Sequence, residues 1–358
     1  MTRVPFAVLA SAILSIAACS SASDKKADSS KSAGAGTVSG ADLTGAGATF
    51  PYPLYSRWVS EYAAATGVKI NYQQIGSGGG VKQLQEQTVD FGASDAPMSD
   101  SEMVKAKGGP VFHIPTVVGI VAIAYNLPQV TQPLKLSGPI VADIFLGKIT
   151  KWNDSRIVSL NPGIALPNND ILVVHRSEGS GTTYVFSDYL GAVSPAWKSG
   201  PGKGKELQWP VGLGERGNDG VAGRIKQTPG AVGYVEMAFV KQNRLTPALL
   251  QNGAGQFVAP SGEGATAAIA KLPANSDYRI SIVNSPGAGA YPISSLTYLL
   301  VYQHMSDGAK AKKLSDFIKW ALTTGQKDAP ALDYASLPST MIPKLTAKAD
   351  SIATGSSR

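Results

Sequence analysis

Ile171-Leu-Val-Val-His-Arg-Ser-Glu-Gly-Ser-Gly-Thr-Thr183 decides how this chain of 358 residues is read. Its first half is an apolar run of strand length. Its second half sets Arg176, Ser180, Thr182 and Thr183 around Gly179 and Gly181, and the helix-like run 184–190 follows. A glycine-rich turn at a helix start leaves backbone N–H groups free and presents the positive end of the helix dipole. That pairing suits an anion. The hydroxyls add neutral donors, and Arg176 adds a planar charged fork matched to an oxyanion. The same residues also suit an N-capped helix after a tight turn, with Ser and Thr doing only structural work. The rest of the chain has to decide between the two.

Three other loops repeat the pattern. Thr44-Gly-Ala-Gly-Ala-Thr49-Phe50-Pro51 leads into a helix with Leu54, Tyr55, Trp58, Val59 and Tyr62 on one face and Gly67 as its C-cap. Pro51 suits the first helical position, with Thr49 or Phe50 at the cap. Ile75-Gly-Ser77-Gly-Gly-Gly80 joins a strand over 68–74 to a helical run over 81–88. Phe91-Gly-Ala-Ser94-Asp95-Ala-Pro97 follows a strand over 89–93. Part of 111–126 also reads as strand, and Ser99-Asp-Ser-Glu102 is a capping box opening a helix. Ala311, Leu314, Phe317, Ile318, Ala321 and Leu322 form a helical stripe ending at Gly325. Strands alternating with helices predict an α/β fold with mostly parallel sheets. In such folds ligands gather where strands end and helices begin.

The N-terminus reads as an address. Arg3 is a small positive region, 4–16 is apolar and too short to span a bilayer, and Ile16-Ala-Ala-Cys19 resembles a bacterial lipobox, with Ile where Leu is usual. Residues 1–18 are expected to be a signal peptide, Cys19 a lipid attachment site, and 19–40 a flexible tether poor in large apolar side chains. The protein is therefore expected to be exported and anchored to a bacterial membrane. Cys19 is the only cysteine, so no internal disulfide forms. Residues 41–358 are too many for one core and suit two domains. The formal charge of +7 is scattered, with no basic stripe, which argues against nucleic acid. His113, His175 and His304 have no metal-ligand spacing, and neither Gly-x-Ser-x-Gly nor a Gly-Lys-Ser/Thr loop is present, so no catalytic residue, metal or cofactor is expected.

Taken in order, the motifs resemble the phosphate-binding protein of bacterial phosphate ABC importers. They are 44–51, Gly76-Ser-Gly-Gly-Gly-Val-Lys-Gln83, 89–97, Asp143-Ile-Phe-Leu-Gly-Lys-Ile149 with Lys151-Trp-Asn153, Gly179-Ser-Gly-Thr182, Gly217-Asn-Asp-Gly220 with Gly233-Tyr-Val-Glu236, and Asp333-Tyr-Ala-Ser-Leu-Pro338. The resemblance covers 43 to about 337. It implies a monomeric two-domain clamshell of type II, its domains being 41–117 plus 288–358 and 118–287, joined by crossovers near 116–119 and 286–291. It also implies a phosphate site. Thr49 and Phe50 donate through backbone N–H, helped by the Thr49 hydroxyl, and Ser77 donates through its own. Asp95 accepts, and Arg176, Ser180, Gly181 and Thr182 close from the second domain. Glu178 stands where the family often has Asp; it is expected to hold Arg176 rather than touch the ligand. The implied partners are permease subunits with a cytoplasmic ATPase. A phosphate sensor or surface protein without a transport role, or a binder of another tetrahedral oxyanion, would use the same site.

The residue types favour phosphate on chemical grounds. A fully ionised oxyanion such as sulfate wants donors only, and a carboxylate beside it is a repulsive element. Phosphate near neutral pH keeps a proton and can donate it to Asp95.

Overall fold

The computed structural model describes residues 42–270, 272 and 277–354. The expected signal peptide, Cys19 and tether lie outside the described residues. Apolar side chains of alternating strands and helices build two half-sheets. In the first, β1 (Leu43–Gly47), α1 (Tyr52–Thr66), β2 (Ile70–Gln74), α2 (Ser77–Gln85), β3 (Phe91–Ser94) and α3 (Asp100–Val104) lead to β4 (Val111–Tyr125). The second half contains β5 (Leu172–Arg176), α4 (Gly181–Val193), β6 (Leu213–Glu215), α5 (Gly217–Gln227), β7 (Ala231–Glu236) and α6 (Met237–Asn243). The chain then returns through β8 (Ser294–Tyr302) and α7 (Gly308–Leu322).

The strand order is β2-β1-β3-β8-β4-β7-β5-β6, with Thr246–Pro247 also pairing β4. The outer pairs are parallel: β1 with β2 and β3, and β5 with β6 and β7. The long middle strands are antiparallel, β8 to both β3 and β4, and β7 to β4. The sheets are thus less uniformly parallel than the alternation of elements suggests, because β4 runs through both halves and β8 returns antiparallel between β3 and β4. β4 reads as strand only in part because Pro115 interrupts its apolar run, yet it is continuous. It pairs β8 up to Ile120 and β7 from Val121. The ladder with β8 shifts register at Thr297/Tyr298, opposite Pro115, which has no N–H to give.

Local signals mostly place the elements. α1 ends on Gly67 at φ 77°, whose N–H bonds Ala63 O. Ser99 and Glu102 make the reciprocal capping box of α3. Three details differ from the sequence expectation. Pro51 is the N-cap of α1, and the proline within its first turn is Pro53. α7 stops at Leu322, and Gly325 sits in a following 3₁₀ turn where its carbonyl accepts from Trp58 Nε1 at 2.8 Å. α2 starts at Ser77 and not at 81. Three successive glycines disfavour helix intrinsically, but packing needs them. A Cβ on Gly80 would lie 2.5 Å from Gly47 Cα and 2.6 Å from Ala46 O, so α2 rests directly on the backbone of β1.

Because those neighbours are backbone atoms, Gly80→Ala is expected to cost about 1–3 kcal/mol of stability despite alanine's better helix propensity. Denaturant unfolding at constant m-value would measure it. A stabilised variant would show that α2 is not seated on β1.

Candidate functional site

The strands β1, β2, β3 and β5 all end at one place. β1 delivers Thr49 and Phe50, β2 delivers Ser77 at the start of α2, and β3 delivers Asp95. From the facing half-sheet β5 ends on Arg176, and Ser180, Gly181 and Thr182 open α4. All eight residues are buried and together.

The two walls touch. Gly78 N–H donates to Gly179 O at 2.8 Å. A Cβ on Gly181 would fall 2.4 Å from both Asp95 Oδ2 and Ser77 Oγ, so only glycine lets the walls come this close. Ser180 caps α4 by accepting from Thr183 N–H at 3.0 Å. The N–H groups of Phe50, Gly181 and Thr182 have no acceptor among the described residues. They point the ends of two helices at one buried spot.

Arg176 is held from several sides. Its Nε donates to Glu178 Oε1 at 2.9 Å, its Nη2 donates to the same oxygen, and its Nη1 donates to Thr182 Oγ1 at 3.2 Å. Gly217 N–H also reaches Glu178 Oε1, at 3.1 Å. The longer Glu side chain thus spends one oxygen on three donors and leaves Oε2 buried with no partner among the described residues. Burial raises the Glu178 pKa, but the hydrogen bond and charge of Arg176 outweigh it and the net shift is downward. Behind the pair, Tyr234 Oη accepts from Arg176 N–H at 3.0 Å and lies 2.6 Å from Thr183 Oγ1, which fixes the end of β5.

Asp95 is different. Burial pushes its carboxyl up to about 7, against the hydrogen bond from Thr297, the charge of Arg176 and Ser77. Thr297 Oγ1 donates to Oδ1 at 2.8 Å, Ser77 Oγ lies 3.5 Å from Oδ2, and Ser77 Oγ accepts from Asp95 N–H at 3.3 Å.

Several functional neighbours were not singled out from sequence. Asn218 at the start of α5 donates from Nδ2 to Thr49 Oγ1 at 2.8 Å and to Thr182 Oγ1 at 3.1 Å. Its motif was visible; its reach across the cleft was not. Thr297 lies 202 residues from Asp95 and meets it only through the β3–β8 register. Tyr334 Oη donates to Phe50 O at 2.7 Å and lies 3.1 Å from Glu236 Oε2, a buried carboxyl whose pKa desolvation raises strongly. His175, although next to Arg176, turns away: it stacks on Trp209 at 4.6 Å between ring centroids. His113 is a buried acceptor for Met98 N–H at 2.9 Å. No His, Cys, Asp and Glu group that could hold a metal occurs among the described residues.

With this geometry in hand, comparison with known proteins is informative. Residues 22–324 match the model of the PBP superfamily domain. A protein of Xylella fastidiosa (strain Temecula1) named phosphate-binding protein PstS is 46% identical over 308 residues, 85% of this chain and 84% of that one. Its namesake in Pasteurella multocida is 44% identical over 315 residues, covering 87% and 91%. The chain belongs to the PstS family of phosphate-binding proteins. The solved structure of a phosphate-binding protein from Stenotrophomonas maltophilia superposes with a TM-score of 0.66 at 22% identity, over 85% of this chain and 93% of that one. The fold is the two-domain clamshell of periplasmic binding proteins.

The Asp95 shift has a testable consequence for folding. An unfolded aspartate titrates near 3.9, so above that pH the ligand-free fold must ionise or neutralise a buried carboxyl. The resulting penalty is absent below about pH 4, grows up to about 7 and is constant beyond. Asp95→Asn should therefore raise the thermal midpoint of the ligand-free protein, and more at pH 8 than at pH 5. An equal rise at both would place the Asp95 pKa near its ordinary value.

Proposed function

We propose that the protein captures inorganic phosphate outside the cytoplasm, in the closed cleft between its halves, and hands it to the permease subunits of an ABC importer powered by a cytoplasmic ATPase. The observation that carries this reading is the make-up of the cleft: free N–H groups, hydroxyls and Arg176, with one carboxylate, Asp95, among them. The naming of its relatives supports the same ligand.

In this reading Phe50, Gly181 and Thr182 donate through backbone N–H. Thr49, Ser77, Ser180 and Thr182 donate through hydroxyls, and Arg176 gives charge-assisted bonds. Asp95 accepts a hydrogen bond from the proton that hydrogen phosphate carries. Glu178 orients Arg176 and neutralises it, so the bound anion is held largely by dipoles. The lobes are taken as 41–117 with 288–358, and 118–287, each moving as a body about the strand β4. Binding and release, without covalent chemistry, are the whole activity; the chain acts as a monomer with no cofactor and no nucleic-acid partner. Export by residues 1–18, with a lipid on Cys19 and a tether over 19–40, would keep the clamshell at the membrane surface where importer subunits lie.

Two measurements test the reading. Calorimetric titration of residues 41–358 should give one tight phosphate site at about pH 8 with sulfate silent. Above about pH 7 Asp95 loses its proton and ceases to be a donor, so sulfate binding should weaken roughly tenfold per pH unit from there upward and level off below it. Asp95→Asn should bind sulfate at both ends of the range. Sulfate bound equally at every pH by the wild type would remove Asp95 from the site. Separately, Gly181→Ala puts a methyl where the walls meet and should weaken phosphate binding at least ~100-fold, about 2.7 kcal/mol, with the fold intact. Undiminished affinity would mean that the ligand binds without this closure.

A further inference from the structure

Asn218 has no role in the reading above, yet it is wholly buried at the centre of the site. Its Oδ1 accepts from Glu236 N–H at 2.9 Å, which fixes the face of the amide. Both Nδ2 protons then point to hydroxyls on opposite walls, Thr49 Oγ1 at 2.8 Å and Thr182 Oγ1 at 3.1 Å. Each of those oxygens has a second donor. Asn218 N–H reaches Thr49 Oγ1 at 3.3 Å, and Arg176 Nη1 reaches Thr182 Oγ1 at 3.2 Å.

A hydroxyl oxygen has two acceptor sites and one proton. Here both acceptor sites of both threonines are filled by protein N–H groups. Their own protons have no acceptor among the described residues. We propose that Asn218 is a specificity-determining residue: it occupies the lone pairs of Thr49 and Thr182, so both hydroxyls can only donate into the cleft. A free threonine hydroxyl could turn and accept from a protonated or neutral ligand. These two cannot, so the site offers donors everywhere except at Asp95. Because the two threonines sit on facing walls, the amide completes its bonds only when the walls are together, which ties donor polarity to closure.

This deepens the phosphate reading and rests on it, so the experiment separates the two. Inorganic phosphate is titrated into the wild type, Asn218→Ala, Thr49→Val and the double variant, with thermal midpoints measured alongside. Asn218→Ala should weaken phosphate binding about 10–100-fold, the cost of freeing two hydroxyls to turn. In the Thr49→Val background the same change should cost at least threefold less, because one of its two targets is gone. A purely structural role would give equal losses in both backgrounds and would overturn the proposal, as would an unchanged affinity in Asn218→Ala. Should Asn218→Ala not fold, Asn218→Ser, which can accept from Glu236 N–H but cannot serve both threonines, is read in the same way. A wild type that binds no phosphate would instead defeat the reading of the site as a whole.

Discussion

One strand constrains everything else. β4 pairs β8 through Ile120 and β7 from Val121, so two half-sheets share a single hydrogen-bonded backbone without a loop between them. Nearly every side chain of β4 is buried, and a slip of one residue would turn its apolar faces the wrong way. That register sets where β3 and β7 lie, hence where Asp95 and Glu236 emerge at their ends. The same ladder carries an irregularity opposite Pro115, next to Thr297, whose hydroxyl holds Asp95. Asp95 is thus tied through Thr297 to the ladder that β4 and β8 share.

Charge in the cleft is kept low by the protein itself. Arg176 is countered by Glu178, and burial leaves Asp95 about half protonated near pH 7. An anion entering such a place finds little net charge and many oriented N–H and O–H dipoles. A dipole site discriminates by the direction of its hydrogen bonds, whereas a strongly positive site would hold any anion of the right size. This explains why several donors here are backbone groups at the starts of α1 and α4, whose positions are set by the strands they follow. It also explains why the arginine is tied down on all sides: a guanidinium free to swing would offer charge without direction.

The fold and most of the site were legible because their signals are local. The capping box of α3, the αL glycine after α1 and the glycine-rich strand exits each lie within a few residues. The start of α2 is not legible, because Gly78, Gly79 and Gly80 read as a turn by propensity, while contact with β1 overrides propensity. The full length of β4 is not legible in the sequence, because a proline inside a strand usually ends it and Pro115 does not. Asn218, Thr297 and Tyr334 were not singled out for a different reason. Each acts across tens to hundreds of residues, Thr297 through sheet register and the other two through tertiary contacts, and nothing in the flanking sequence states which partners are met.

Glycines at the closing surface show the same limit from the other side. Gly181 and Gly78 were visible as turn residues, and φ-driven freedom is the usual reason for glycine in a turn. Neither has a positive φ here. What excludes a side chain is the facing wall: Asp95 and Ser77 against Gly181, and Gly179 against Gly78. A sequence can mark such a position but cannot distinguish a turn from a contact plane. The distinction matters, because a turn glycine replaced by alanine strains one loop, whereas a contact-plane glycine replaced by alanine leaves each half folded and keeps the two apart.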